Sequence, residues 1–571
     1  MKRALEQKKT RRPAAARYVI GVDFGTNSVR ALVVNVANGA EVGTAVFNYP
    51  SGVEGILLDP RNHNLARQSP LDYEAGLRKA IRGALGQARR QVGLSSARVI
   101  GLGVHTTGST PIRCYAHLWP TCLQAAWRRN LNAYAWLWKD HTASAEAAAI
   151  SAAARRQRPH YLAQRGGAYS AEWFWAKIWH CLNVDPQFFA ATHAWIELQD
   201  YIPALLCGIR RPEEVVRGIC AAGHKAMENP RWGGLPDENF LASLHPRLAR
   251  LREPISAPAQ AIDRPAGYLA PEWAAALGLP AGIPVAVGAL DAHLGAVGSG
   301  IRSGTLVKII GTSSCDILVT QEAVPDIPGV CGIVAGSVLP GYYGIEAGQS
   351  AVGDIFRWFV SNICGGDDRL QEQLTREAAG LRPGASGLLG LDWHNGNRSP
   401  LMDPNLSGLL VGLNLHTSRA EIYRAWLEAT AFGALTIIRR IEEYGIAIER
   451  VVCCGGIAAK NELFMQIYAD ILKRPMYLAR SAQASALGAA IAGALVAGAY
   501  PSGPAAIAAM TGVQRKVFRP RRSQVAAYQE LYALYQALQQ AFALCGPPPL
   551  GGLMKDLLQL KAGARGLRST T

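Results

Sequence analysis

The chain has 571 residues, of which 49% are apolar, with tryptophan and tyrosine spread along its length; it is too long for a single core and too apolar for a disordered segment, so two domains with buried sheets are expected. A net charge of +17 suggests nucleic acid, but its location argues against that: Met1–Arg17 carries +6 and Arg515–Thr571 carries +7, leaving +4 for the body, ordinary for an enzyme of small molecules. Eleven cysteines, an odd number with no CxxC pair, exclude a disulfide framework or zinc site and read as reduced core thiols.

No 18-residue apolar stretch is present to span a membrane, and the basic N-terminal run lacks the apolar core of a secretory signal. A cytoplasmic protein is expected, with no specific nucleic acid and no membrane as partner.

Organised sequence begins at Tyr18 with YVIGVDFGTNSVRALVVNV. An apolar run reaches Asp23, then a Gly25-Thr26-Asn27-Ser28 turn and a second apolar run, which is the pattern of a hairpin. Such a tip can aim backbone N–H groups and hydroxyls at a phosphate, and an acid at the strand end can hold Mg²⁺ against it. A plain hairpin with a polar turn fits these residues equally well.

Val99 to Val104 reads as a buried strand delivering His105-Thr106-Thr107-Gly108-Ser109-Thr110, and ligands collect at the carboxyl ends of such strands. Trp136 to His141 offers an aromatic wall beside charged groups, consistent with a sugar face or with a buried tryptophan under a surface charge cluster. Tyr169 to Lys177 opens a helical region reaching about Val184, and Trp195 to Gly208 reads as an amphipathic helix. Lys225 follows Gly223-His224; by itself a lone lysine reads as surface charge. Ile283 to Leu290 is an apolar strand ending in Asp291, placed either to take a proton from a substrate hydroxyl or to cap the next helix.

The first pattern then returns. In Leu306 to Thr320, LVKIIGTSSCDILVT, Gly311, Thr312 and Ser314 fall on Gly25, Thr26 and Ser28, as expected if two similar domains each offer a hairpin to one cleft. Glu346 and Gln349 are expected on a loop facing that cleft, with Gly353 at the start of a helix. Arg419 to Tyr444 has the apolar spacing of a long packing helix. Arg450 to Leu472 reads as strand, Gly455-Gly456 turn and helix, with Asn461 near the helix start. Leu487 to Ala499 is a packed helix rich in alanine and glycine.

Together GVDFGTNSVRALVV, TTGSTP, LWKDHTA, CAAGHKAM, LDAHLGAVG, IIGTSSCDI and GIEAGQSAVGDIFRWF make the chain, from about Tyr18 to Ala499, resemble the FGGY carbohydrate kinases. The resemblance implies an α/β fold of two actin-like (ribonuclease H-like) ATPase domains flanking a central cleft. It divides the chain into a basic extension (1–17), a sugar-binding domain (18–298), a nucleotide-binding domain (299–510) and a helical segment with a basic tail (511–571). It also implies transfer of a phosphoryl group from ATP, with Mg²⁺, to a ketopentose: L-ribulose giving L-ribulose 5-phosphate, or else another ketopentose or polyol. A homodimer is compatible with it. An actin-like ATPase without sugar chemistry is the remote alternative, and would need an insertion or peptide-binding region that the sequence does not display.

Carried over by motif, Asp291 is the catalytic base. Lys225, Glu346, Thr107 and Gly108 contact the sugar, as does His105, where the members it most resembles usually carry Asp. Asp23 is the metal-associated acid. Gly25, Thr26, Asn27, Gly311, Thr312, Gly353, Gly455, Gly456 and Asn461 line the nucleotide. Arg113 to Ala135 departs from the family pattern, and Ala482 replaces a usual acid.

Overall fold

The computed structural model describes residues 16–543 and Leu550; most of the basic extension and of the basic tail lie outside the described residues. Two seven-stranded sheets dominate. In the first the order is Pro265–Tyr268, Pro284–Ala286, Val99–Thr106, Tyr18–Phe24, Ser28–Asn35, Glu41–Asn48, with Ala289–Leu290 also beside Val99–Thr106. In the second it is Gly332–Ala335, Tyr343–Gln349, Ser314–Thr320, Thr305–Ile310, Arg450–Cys454, Met476–Ala479, Val513–Phe518.

The two sheets repeat one plan. Tyr18–Phe24 and Thr305–Ile310 each pair antiparallel with the strand that follows them and parallel with a distant strand on the other side. Outward from that distant strand comes a second parallel pairing and then an antiparallel edge in both sheets. The central strands are apolar on both faces because both faces are covered. Helix Pro70–Val92 packs on the first sheet through Tyr73, Leu77, Ile81 and Leu85, and a left-handed Gly93 (φ 63°) ends it. Helix Arg419–Glu442 packs on the second; it starts at a capping box between Ser418 and Glu421 and buries Tyr423, Leu427, Ile438 and Ile441.

Between the sheets run helices Asp291–Gly298 and Ala484–Val496. They touch through bare backbone. A β-carbon on Gly103 would stand 1.8 Å from the Ala489 carbonyl oxygen, one on Gly298 1.8 Å from that of Ala484, and one on Gly488 1.8 Å from that of Leu294. The alanine- and glycine-rich stretch thus forms the seam of the molecule; among the described residues no helix is long and apolar enough to cross a membrane. The ten described cysteines are free.

Several elements differ from expectation. The strand leading to Asp291 is two short pieces, Pro284–Ala286 and Ala289–Leu290, broken at Gly288, where a β-carbon would lie 1.9 Å from the Gln199 carbonyl oxygen. The expected helix from Trp195 is first a strand, Ala194–Glu197, and helical only over Leu198–Leu206. The segment that departs from the family pattern starts in strand Pro111–Cys114, which pairs with Ala194–Glu197. It continues as 3₁₀ turns that bury Cys122 and Ala133 in the first core.

Candidate active site

The first hairpin tip is closed by the Gly25 N–H donating to the Ser28 carbonyl at 2.9 Å. Thr26 is gripped twice: Gln68 Nε2 donates to its carbonyl at 2.6 Å and Trp138 Nε1 to its hydroxyl at 3.0 Å. The Asn27 side chain turns outward, donating to the Glu54 carbonyl at 2.7 Å. Asp23 stands in register with Arg30 across the hairpin and with His105 on the parallel strand. Its carboxylate lies 3.4 Å from His105 Nε2 and 3.8 Å from Arg30 Nη1 and keeps one face open. His105 is fully buried, and neither ring nitrogen has a partner in hydrogen-bonding geometry.

From His105 the chain enters the turn Thr107-Gly108-Ser109-Thr110, which is fastened from below. The Thr107 N–H donates to the Phe24 carbonyl at 3.1 Å. Glu197 accepts from the Ser109 hydroxyl and, at 2.9 Å, from the Thr110 N–H. Lys177 Nζ donates to the carbonyls of Ser109 and Leu137, each at 2.8 Å. One buried ammonium therefore ties this turn to the Trp136–His141 stretch. Burial pulls the Lys177 pKa down to about 8, against the opposing pull of Asp140 and Glu197. A β-carbon on Gly108 would lie 2.0 Å from Leu290 Cδ2, so a side chain there would displace that leucine, on the segment that delivers Asp291.

Asp291 opens helix Asp291–Gly298, half-buried, and its Oδ1 accepts from the Ala292 N–H at 2.7 Å. Burial pushes its carboxyl above the usual range; His105 pulls it back, while Asp23 and Glu346 push it further up. Across the seam, Lys225 Nζ donates to both carboxylate oxygens of Glu346 at 3.2 Å. Lys225 ends helix Ile219–Lys225, whereas Glu346 lies in strand Tyr343–Gln349 of the second sheet, so the expected loop is a strand. Burial alone would drive the Glu346 carboxyl up, but the Lys225 ammonium foremost holds it well below the carboxylate range. Burial works against the Lys225 charge, and Glu346, with smaller help from Cys331 and Glu172, raises its pKa all the same.

At the second tip the Gly311 N–H donates to the Ser313 carbonyl at 2.9 Å, and the Thr312 carbonyl accepts from Val352 at 2.8 Å and Asp354 at 3.2 Å. A β-carbon on Gly353 would lie 2.5 Å from the Gly311 carbonyl oxygen, and one on left-handed Gly455 (φ 107°) 2.1 Å from that of Ile310. Gly311, Thr312, Gly353 and Gly455 thus meet at one place. Gly311 and Gly456 have open space where a side chain would be, which leaves bare peptide for a ligand to approach. Asn461 does something else: its Oδ1 accepts from the Phe464 N–H at 2.9 Å and caps helix Glu462–Leu472.

The two lobes therefore offer a half-buried acid with a raised pKa, a cation–carboxylate pair, and two glycine-threonine tips. Residues 306–497 match the C-terminal domain of the FGGY family of carbohydrate kinases. A ribulokinase from Mycolicibacterium smegmatis is 40% identical over 568 residues, covering 97% of this chain and 98% of its own. The chain belongs to the FGGY family of carbohydrate kinases. A second ribulokinase, from Vibrio parahaemolyticus serotype O3:K6, is 39% identical over 546 residues, 92% of this chain and 96% of its own. Among solved structures, xylulose kinase from Rhodospirillum rubrum superposes with a TM-score of 0.76 at 24% identity over 92% of this chain and 99% of that one. Plasmodium falciparum glycerol kinase with ADP gives 0.74 at 14% identity, over 92% and 98%. At these identities the structural likeness is one of fold, the two-domain actin-like fold expected from the motifs. As an FGGY kinase the protein is a sugar phosphotransferase that uses ATP.

Sequence reasoning about this FGGY kinase missed the residues underneath its tips. Lys308 Nζ donates to both Asp316 oxygens at 2.8 and 3.0 Å and to Gln349 Oε1 at 3.0 Å, all buried. Gln349, expected to face the cleft, is bonded below the hairpin, its Nε2 donating to Asp392 Oδ2 at 2.7 Å and to the Thr430 carbonyl at 2.8 Å. A signal was available: a lysine inside an apolar strand requires a buried partner, and Asp316 lies opposite it in register. Lys177, flanked by Trp175 and Ile178 in a buried helix, poses the same requirement.

Proposed function

We propose that this FGGY kinase transfers the γ-phosphoryl group of ATP to L-ribulose, giving L-ribulose 5-phosphate and ADP. The name of the sugar comes from the relatives at 39–40% identity over nearly the whole chain. The observation that carries the site is the Lys225–Glu346 pair, formed across the seam at 3.2 Å in the electrostatic neighbourhood of half-buried Asp291. A cation and a carboxylate held together in this way offer a donor and an acceptor to the hydroxyls of an uncharged sugar.

Asp291 accepts the proton of the attacking sugar hydroxyl as the oxygen–phosphorus bond forms and ADP departs with the bond it breaks. Its raised pKa favours that role, since a base nearer neutrality holds the proton more readily. Thr107 and Gly108 form the floor of the sugar site and His105 its deep end. Gly25 and Gly311, whose N–H groups close the two tips, hold the backbone N–H groups of Thr26 and Thr312 towards the phosphates; Gly456 gives the rest of the nucleotide bare backbone, with Gly353 and Gly455 packed closely behind it. Asn27 and Asn461, whose side chains are bonded within the protein, contribute backbone lining only.

Asp23 fits Mg²⁺: it is a carboxylate with an open face at a phosphate-facing tip, and this ion takes one or two carboxylates together with water and phosphate oxygens. When bound, it would neutralise phosphate charge. The lobe boundary falls near 298–299, where helix Asp291–Gly298 ends. A coupled ADP-release assay over ketopentoses and polyols tests the reading: L-ribulose should give the highest kcat/KM, and preference for D-ribulose, L-xylulose or ribitol would replace it.

A further inference from the structure

We infer that His293 and His224 form a relay of polar contacts that positions Glu346 and ties it to the segment carrying Asp291; this rests on the proposed role of Glu346 as a sugar contact. His293 sits two residues after Asp291 on the same short helix, buried. Its Nε2 lies 3.1 Å from His224 Nε2, with ring centroids 4.5 Å apart, and 3.7 Å from Glu346 Oε2. His224 Nδ1 lies 3.2 Å from Glu346 Oε2, bent off the N–H axis, so this is an electrostatic contact more than a linear hydrogen bond. The His224 ring rests on Gly332, where a β-carbon would come within 2.1 Å of Nδ1.

These distances fix the protons. A bare Nδ1 facing a carboxylate oxygen at 3.2 Å would repel it, so His224 carries its proton on Nδ1 and leaves Nε2 as an acceptor. Two nitrogens at 3.1 Å need one donor, so His293 supplies an Nε2–H. Ser337 Oγ, 3.1 Å from His224 Nε2, donates to the Val334 carbonyl at 3.0 Å and leaves that acceptor to His293. The cations around the cluster, Lys225, Arg165 and Arg398, and burial favour neutral rings. Glu346 is thereby held by Lys225 on one side and by His224 on the other. Its orientation is set partly from the helix that bears the proposed base.

The same three side chains, with ligand atoms within 4.8 Å of one another, are the set a divalent metal would choose, but Lys225 Nζ already takes both Glu346 oxygens and Gly332 closes the Nδ1 side of His224. The test is steady-state kinetics of the full chain. His293→Leu should raise the KM for sugar about tenfold, the worth of one hydrogen bond, with the KM for ATP unchanged. His293→Gln, which keeps an N–H donor, should restore most of it. An unchanged sugar KM in His293→Leu would overturn the relay, as would matching rises for both substrates that glutamine fails to rescue. Zn²⁺ inhibition competitive with sugar and lost in His293→Gln would assign the cluster to a metal instead. Absence of ketopentose-dependent ADP release in the parent chain would overturn the proposed function itself, before any variant is compared.

Discussion

Gly21, in the middle strand of the first sheet, faces Ala486, in the helix between the last two strands of the second, so closely that a β-carbon on the glycine would stand 1.9 Å from the alanine carbonyl oxygen. Backbone of one lobe lies directly on backbone of the other, so any added methyl acts as a wedge. Gly103→Ala, 1.8 Å from the Ala489 oxygen, should lower stability by about 1–3 kcal/mol, as overpacked sites do. Denaturant unfolding reads this, and an unchanged midpoint would mean the seam can open at no cost.

Asp291→Asn keeps the shape of the side chain and removes its ability to take a proton. Turnover should fall by about 10²–10⁴-fold, while ATP binding measured by calorimetry stays near the parent value. Retained turnover would take Asp291 out of its proposed role.

Lys225→Ala leaves Glu346 charged, buried and without its cation. Breaking a buried pair in this way costs about 3–5 kcal/mol, so the melting temperature should drop and the sugar KM rise together. Pairing Lys225→Met with Glu346→Gln should recover the melting temperature but not sugar binding. A defect confined to ATP would contradict the assignment.

The buried imidazoles should cost the fold stability in acid before most carboxylates titrate. Burial lowers the pKa of His293 from 6.5 to about 4 and that of His224 well below 6.5. The unfolded chain therefore gains protons below about pH 6.5 that the folded chain declines until about pH 4, so stability is full above that window and is lost as pH falls through it. Buried Asp200 and Asp392, whose carboxyls are raised to about 7 and about 6, gain stability over the same window, so the reading is a difference: from about pH 7 down to about pH 5 the urea midpoint of the parent should fall relative to that of His293→Gln. A difference that stays level would show that His293 takes up its proton at the same pH in the folded chain as in the unfolded one.

Gly353→Ala would push a methyl to 2.5 Å from the Gly311 carbonyl oxygen and 2.4 Å from Ile457 Cδ1. The second tip must shift, so the KM for ATP should rise several-fold with that for sugar unchanged. Equal changes in both would place this contact outside the nucleotide side.

The hairpins were legible because alternating apolar runs around a glycine-threonine turn admit few other structures, and the long helix from Arg419 because its stripe is continuous. Strand Tyr343–Gln349 was not, for a physical reason. Its Gly344 and Gly348 look like loop residues, yet a β-carbon on Gly344 would lie 2.3 Å from Ser337 Oγ and one on Gly348 2.1 Å from the Ser314 carbonyl oxygen; here glycine answers to crowding from the segments packed beside it, not to a turn. The pairing of Lys225 with Glu346 joins residues 121 positions apart, a distance no local pattern spans. Asn461 sits where the sequence put it, near a helix start, but its side chain caps that helix, a use that asparagine's chemistry allows equally.

Lys308 and Asp316 face each other across the second hairpin, both shut away from water. Were either strand to slide by a single position, one of the two would swing to the opposite face and leave a naked charge in apolar surroundings, at a cost of several kcal/mol. The strands are thus bolted in one alignment, and the height of the Gly311–Thr312 loop is fixed with them. That loop can tilt with its whole lobe, but it cannot ratchet along it.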